Sequence, residues 1–471
     1  MADIWDVMKG VHVPGPNALY VGINGNDANP GTSGSRKRTI EAALNAMPAG
    51  GGIIYVGDGD YGSIGLYGRS FSNNAWCLVK SENLWGAKAS GGITVSGQCV
   101  GIYGFETPQN AIGCADGAYL AVWRCYVHDT GGAGIYAAGN NSDISNISWC
   151  YNLVHDTGWG DAEFAQSNMT AYEFKNNVGS QGHNWVNGYD NLIIGNICHS
   201  GFCLAGGDGN GMIIDDMHNQ QMGGSVNYNG NWLMMGNLMV DNVGVGLHVF
   251  QTSNVDTCFN TSYHNSNGMD GNAGAVGTGG ADHLHYWANL LHNVPWFNGY
   301  FITNFQYDAN VYLAGVDGGG GHDNTPMPGQ RNRTSDGLNY FTNNNPTLDP
   351  NLTTAAQYLP DGGAGAIETY TISQAQYDKW ATFPDLFGNY RPSNRVWKVG
   401  FAGAGGGVSP GPVAAFTVSD ATPDQGQSVT FTDQSTGSPT SWSWNFGDGA
   451  TSTLRNPSHA WSTTGSKTVT L

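Results

Sequence analysis

Charge is scarce in this sequence, and paired-cysteine motifs, long apolar runs and helix-forming tracts are missing. Charged residues supply 11%, and 36 acidic against 17 basic side chains leave a formal net charge of −19. A surface so poor in Lys and Arg is unsuited to the phosphates of nucleic acid. It also disfavours a polyanionic glycan unless a divalent cation intervenes. The eight cysteines are Cys77, Cys99, Cys114, Cys125, Cys150, Cys198, Cys203 and Cys258. None forms a C-x-x-C pair, which argues against a zinc-ribbon or thioredoxin-like site. Several lie inside apolar runs such as SWCYNLV and IGNICHSGFC, so buried thiols are expected rather than disulfides. No segment approaches the ~20 apolar residues of a membrane span. The opening MADIWDVMKG has no apolar h-region. We therefore expect a protein that is secreted with its signal removed, or one carried by a virion. What remains is rich in glycine, with 72 residues, and in Asn and aromatics, at 40% apolar content. That balance suits a β-rich, turn-dense extracellular protein with a real core and argues against disorder.

The first 60 residues read as strand, helix, strand. ALYVGING is extended, TIEAALNAM puts Ile40, Leu44 and Met47 on one helical face, and the glycines at 50–52 stop the helix before IIYVGDGDYG. Such a segment suits a cap on a stacked core. From about 93 to 300 the chain repeats: WRCYVHDTGGAG, YNLVHDTGWG, GNICHSGF, GNLMVDNVGVG, FNTSYHNSNG, ANLLHNV. Aligned on Asn152, Asn196, Asn237, Asn260 and Asn289, the gaps are 44, 41, 23 and 29 residues, so the two long ones hide either a further coil or a loop. A period in the low twenties, built of strand, turn and strand, marks a solenoid. The expected fold is all-β: a right-handed parallel β-helix over 61–400, with a short N-terminal cap helix in 1–60. Successive coils stack at about 4.8 Å.

Asn suits the turn column because its side chain tolerates left-handed backbone and bonds neighbouring peptides. His128, His155, His199 and His292 fall in a second column, readable as stacked turn histidines or as a metal or proton-relay site. The period is lost over 305–400, where loops such as GVDGGGGHDNTPMPGQ are expected to accompany closing coils and a C-terminal cap. FAGAGGGVSPGPV (401–413) is a linker. Residues 414–471 alternate at strand period, indicating a small β-sandwich, expected to be truncated at Leu471.

The last segment resembles a polycystic kidney disease (PKD) domain, through Trp444-Asn445-Phe446-Gly447-Asp448-Gly449 followed by Asn456-Pro457-Ser458-His459. Trp444 and Phe446 would fill its core and Gly447–Gly449 its tight turn. Such modules commonly act as spacers or adhesion units on extracellular enzymes. Residues 18–400 resemble the pectate-lyase-like β-helix proteins, through YVGINGNDANPGTSGSRKRTIEAALNAMPAGGGIIYVGDGDYG and through DGNGMIIDD followed by GVGLHVFQTSNVDTCFNTSYHN. That resemblance implies polysaccharide lyases and glycoside hydrolases, with some virion spikes and adhesins.

The small-x-Gly starts of GAGIYAAG, GNGMIIDDM and GVGLHVFQ align Tyr136, Ile213 and His248 in one column and Ala138, Asp215 and Phe250 in another. Met212, Ile214, Leu247 and Val249 then turn inward. An outer face bearing acids, a histidine and rings suits sugar, since rings stack on pyranoses while acids bond hydroxyls. The catalytic candidates are Lys175, Asp215, Asp216 and His248. Tyr136, Tyr172, Phe250 and Gln251 are the substrate-binding candidates. A lyase would use Lys175, from AYEFKNN, as the base, with Ca²⁺ held by Asp208, Asp215 and Asp216. A hydrolase would use the same acids with His248. Polygalacturonase-type hydrolases share the adjacent Asp pair, but their downstream Arg-Ile-Lys element is absent here. A third reading has Asp208 shaping a turn and the Asp pair capping a strand, with no catalysis. The preferred expectation is a lyase acting on a uronate-containing polysaccharide, as a monomer or homotrimer. The alternatives are a glycoside hydrolase and a non-catalytic adhesin or viral receptor-binding spike.

Overall fold

The computed structural model describes residues 5, 9, 12–138 apart from 73–74, the strands and some turn positions between 144 and 398, residue 414, and 416–471 apart from 434–441. Parallel pairing dominates the first 333 residues. Asn17–Val21, Gly52–Val56, Cys77–Ser81, Ile144–Cys150, Asn191–Ile194, Trp232–Met235, Ser253–Cys258 and Asp282–Trp287 belong to one stack of parallel strands, the first sheet. A second sheet runs through Ile64–Leu66, Ile135–Ala138, Tyr172–Lys175, Met212–Asp215, Leu247–Phe250 and Val276–Gly279. A third runs through Tyr126–Thr130, Leu153–Thr157, Ile197–His199, Leu238–Val240 and Thr261–Tyr263. Two long strands, Ile93–Tyr103 and Ile112–Trp123, bend from the second sheet into the first. The chain is thus a parallel β-helix with three strands per coil, where the repeat suggested two. Its first rungs lie inside the cap segment.

The asparagine column is the clearest product of the repeat. The Nδ2 of Asn152 donates to Asn196 Oδ1 at 3.0 Å, across 44 residues of sequence. Asn196 bonds Asn237, Asn237 bonds Asn260 and Asn260 bonds Asn289 in the same way, at 3.0, 2.9 and 3.0 Å. Each of these oxygens also accepts from the preceding Asn backbone N–H. Because Asn152 meets Asn196 directly, and Asn196 meets Asn237, each of the two long gaps covers a single coil. The backbone geometry corrects the expectation in one respect. The left-handed residue is the one before Asn152, Asn196, Asn237 and Asn260: Tyr151, Gly195, Gly236 and Phe259, with φ of 59°, 63°, 67° and 55°. That single residue bends the chain from the first sheet into the third, and the Asn side chain stitches the bends together. Gly195 has a further reason to be glycine, since a Cβ there would stand 2.4 Å from the Tyr151 ring. A second, shorter ladder joins Asn242 to Asn265 at 2.8 Å.

The core follows from strand alternation. Met212, Ile214, Leu247 and Val249 are buried in it, as expected. The outer face of the first sheet is apolar as well, at Leu78, Trp123 and Cys150, and its N-terminal coils are covered by the start of the chain. Val13 O accepts from Trp76 N and Gly15 N donates to Trp76 O. Trp5 packs edge-on against Tyr103 at 4.9 Å. His12 sits between Trp76 and Trp123, at 4.4 and 4.6 Å, with Nε2 3.2 Å from Ser148 Oγ. Burial holds His12 well below the usual imidazole value of 6.5. The neutral ring is the folded form, so the stability it contributes is present above about pH 6.5 and is lost as the pH falls below that. Acidification should therefore loosen this segment, seen as a change in tryptophan fluorescence that His12→Leu removes.

The cap helix α1, Ile40–Ala46, starts at Thr39, whose Oγ1 accepts from Ala42 N at 3.1 Å, and it buries Ile40, Ala43 and Leu44. Seven cysteines are described, all buried and all free thiols; Cys203 lies outside the described residues. Burial pushes Cys77, Cys99, Cys114, Cys125 and Cys150 up to about 12. Their thiolate fraction near pH 8 is about three orders of magnitude below that of a free thiol. Ellman's reagent should thus titrate at most one thiol of the native protein, and all eight once it is denatured.

In the C-terminal unit, Phe416–Val418 pairs antiparallel with Val429–Asp433, and Trp444–Asn445 with Thr451–Ser452. Val429, Phe431, Trp444 and Phe446 form its core. Gly447 and Gly449 take φ of 77° and 94° in the expected tight turn. His459 clamps that turn: its Nε2 lies 2.8 Å from Asp448 Oδ2, and its ring stacks on Phe446 at 4.3 Å. Among the described residues no helix is long and apolar enough to cross a membrane.

Candidate functional site

Four neighbouring strands of the second sheet carry the described candidate residues. The register Gly113, Tyr136, Glu173, Ile213, His248, Gly277 forms one column. Two residues along, Ala138, Lys175, Asp215, Phe250 and Gly279 form another. Lys175 therefore occupies the strand position next to Asp215, and Asp215 the position next to Phe250. These two columns alternate with the core positions Met212, Ile214, Leu247 and Val249, so they belong to the outer face. Only the strand placement is described for Lys175, Glu173, Asp215 and Phe250; Asp208, Asp216 and Gln251 lie outside the described residues.

Tyr136 is 40% exposed, and its ring tip overlies Gly113, where a Cβ would stand 2.9 Å from Cζ. Tyr172 falls in register with Ile135 and Met212, a core column, and Glu173 takes the outward position beside Tyr136. His248 is half-buried. Asn210 Nδ2 donates to its Nδ1 at 3.3 Å, which leaves the ring proton on Nε2. Asn210 itself is buried, so the segment just before the strand Met212–Asp215 contributes a side chain that orients the histidine. That role was not visible in the sequence, where Asn210 reads only as a turn residue. Ile213 is 2% exposed yet stands outside the core cluster, as befits a covered position on the outer face.

The histidine column lies on the third sheet. His128, His155 and His199 are in register, the next position is Val240, and His292 lies outside the described residues. His155 Nδ1 bonds Asp156 Oδ2 at 2.6 Å, and its Nε2 faces Tyr126 Oη at 2.9 Å. His128 Nδ1 bonds Asp129 Oδ2 at 2.7 Å. The two imidazoles stack at 5.5 Å, and Tyr126 stacks on His128 at 4.3 Å. Burial, then the carboxylates of Glu106, Asp129 and Asp156, push the Tyr126 phenol up to about 12. It therefore keeps its proton and donates to His155, which donates in turn to Asp156. A phenol that keeps its proton is not available as a base, and the network ties two neighbouring coils together. Among the described residues no group of three or more His, Cys, Asp or Glu side chains is placed to hold a metal ion.

Residues 409–471 match the PKD domain. Its Trp444, Phe446 and His459 occupy the core and turn positions described above. No curated protein sequence matches the chain. Among solved structures, a lacto-N-biosidase of family GH136 from Eubacterium ramulus is similar at 10% identity with a TM-score of 0.41, over 63% of this chain and 60% of that one. A rhamnogalacturonan lyase is similar at 12% identity and TM-score 0.39, over 67% and 87% of the two chains. The A-module of an Azotobacter vinelandii mannuronan C-5 epimerase shares 11% identity at TM-score 0.28, over 63% and 95%. The chain thus spans 60% of the first of these, and its chemistry has to be read from its own residues.

Proposed function

We propose that this chain is an extracellular or virion-borne polysaccharide-degrading enzyme, a lyase that cleaves a uronate-containing glycan by β-elimination. One observation carries the reading: the register sets Lys175 beside Asp215, next to the outward column of Tyr136, Glu173 and His248. In β-elimination a base removes the C5 proton, and the freed electron pair becomes the C4=C5 double bond as the C4–O bond breaks. The leaving oxygen takes the C4–O pair and then a proton. Lys175 is the proposed base. Asp208, Asp215 and Asp216 offer the oxygen donors that suit calcium, which when bound neutralises the uronate carboxylate. Tyr136 supplies a ring on which a sugar stacks. A glycoside hydrolase is the second reading, favoured by Glu173. With Asp215 it gives two carboxylate positions one strand and two residues apart, as bond-flanking acids require.

A panel of polysaccharides, incubated with and without EDTA, tests this. Ultraviolet absorbance of the unsaturated product and new reducing ends, both suppressed by EDTA, are the expected result. Reducing ends without unsaturation would replace the lyase with the hydrolase. Glycan binding without any cleavage would leave an adhesin or a receptor-binding spike, and overturn the enzyme.

A further inference from the structure

Two aromatic side chains are exposed among the described residues, Tyr67 at 59% and Tyr136 at 40%. Both lie on the outer face of the second sheet, over glycines of one register column. That column runs Gly65, Thr94, Gly113, Tyr136. Tyr67 follows the strand Ile64–Leu66 and folds back over Gly65, where a Cβ would stand 2.0 Å from its Cε2. Tyr136 reaches across to the neighbouring strand, onto Gly113. Only Thr94 stands between the two seats, so no large side chain interrupts the track. Gly65 and Gly113 are two coils apart, about 9.6 Å, which matches the distance between alternate rings of an extended 1,4-linked pyranose chain.

We infer that Tyr67 and Tyr136 form an aromatic strip on which alternate sugar rings of a polysaccharide stack, with the chain lying along the solenoid axis. The apolar C–H faces of pyranoses stack on aromatic rings, and two open rings this close together otherwise expose apolar surface to water for no return. The occupant is a polysaccharide because the strip is continuous with the candidate site. Lys175 lies one coil beyond Tyr136 and Asp215 two coils beyond. A chain seated on both tyrosines therefore extends directly over that site. The strip rests on the polysaccharide reading above and adds to it the direction of the substrate and two named subsites.

Affinity electrophoresis in gels containing polygalacturonate, alginate or glucomannan tests it, together with the oligosaccharides of whichever polymer is bound. Tyr67→Ala and Tyr136→Ala should each weaken retention about five- to tenfold, with melting temperatures at the wild-type value. Tyr67→Phe should stay within about twofold of wild type, because the ring face and not the hydroxyl makes the contact. Gly65→Ala should weaken retention although Tyr67 is kept, since the new Cβ displaces the ring from its seat. Wild-type affinity should rise sharply from disaccharide to tetrasaccharide, and Tyr67→Ala should flatten that rise. Alanine variants retained as well as wild type, or a Phe variant as weak as Ala, would overturn the strip. A wild-type protein that neither binds nor cleaves any polymer would instead remove the polysaccharide reading beneath it.

Discussion

Replacing Asn196 by alanine is expected to cost on the order of 4 kcal/mol, and Asn237 and Asn260, which make the same set of bonds, should cost about as much. Asn196 is fully buried. Its Nδ2 donates to Asn237 Oδ1 and to Trp149 O, and its Oδ1 accepts from the N–H and Nδ2 of Asn152. Alanine would remove four hydrogen bonds, strand groups of Asn152 and Trp149 where water cannot reach them, and leave Asn237 Oδ1 with the residue-196 N–H alone. Each stranded group costs about 1–3 kcal/mol, partly recovered by relaxation. Asn196→Asp separates this account from simple loss of volume. The carboxylate would still accept from Asn152, but it would turn an oxygen toward Asn237 Oδ1 and Trp149 O, so it should be no milder than alanine. Because coils contact mainly their neighbours, the loss should be local first. Hydrogen exchange should accelerate across 191–199 and 232–238 before the N-terminal coils respond, and the thermal midpoint should fall. Wild-type protection in those strands would contradict the ladder as a source of stability.

Lys175→Ala is expected to lower the rate of glycan cleavage roughly 10³-fold, the usual scale for loss of a general base, with binding kept. The comparison that gives the result meaning is Lys80→Ala. Lys80 Nζ lies over the rings of Trp5 and Tyr103 on the first sheet, away from the candidate columns, and its removal should leave cleavage within about twofold while loosening the N-terminal segment. Asp215→Ala should also suppress cleavage, and the double variant should be no worse than the more damaging single one if the two act as a unit. A Lys175→Ala protein that cleaves at the wild-type rate would leave Lys175 as an ordinary lysine at the end of its strand and remove it from catalysis.

The asparagine ladder and the column alignment were legible because each rests on a residue type that must recur. Asn carries both donor and acceptor on one short side chain, so the same bond can be made in every coil. Three strands per coil were not legible, because some of those strands are as short as Leu290–Leu291 and leave no alternation to count. The left-handed bend was misplaced by one residue: its occupants, Tyr151, Gly195, Gly236 and Phe259, share no chemistry, and stacking rather than propensity holds them. His12 gave no signal, since its meaning comes from Trp76, Trp123 and Ser148, far along the chain. Tyr67 was hidden for a related reason. It lies beyond its strand's end, and only the neighbouring register shows that Gly65 and Gly113 seat two rings in one line. Of the candidate site, the Asp215–Phe250 alignment was readable from small-x-Gly spacing, whereas the place of Lys175 beside Asp215 emerged only with the strand Tyr172–Lys175.

Cleavage in oxygen-18 water tests the central claim most directly. Elimination consumes no water, so the products' masses should sum to that of the parent glycan, with no heavy oxygen incorporated and a double bond on one fragment of each cut. One oxygen-18 atom gained per cut, or no cleavage of any polysaccharide that the protein binds, would contradict the account.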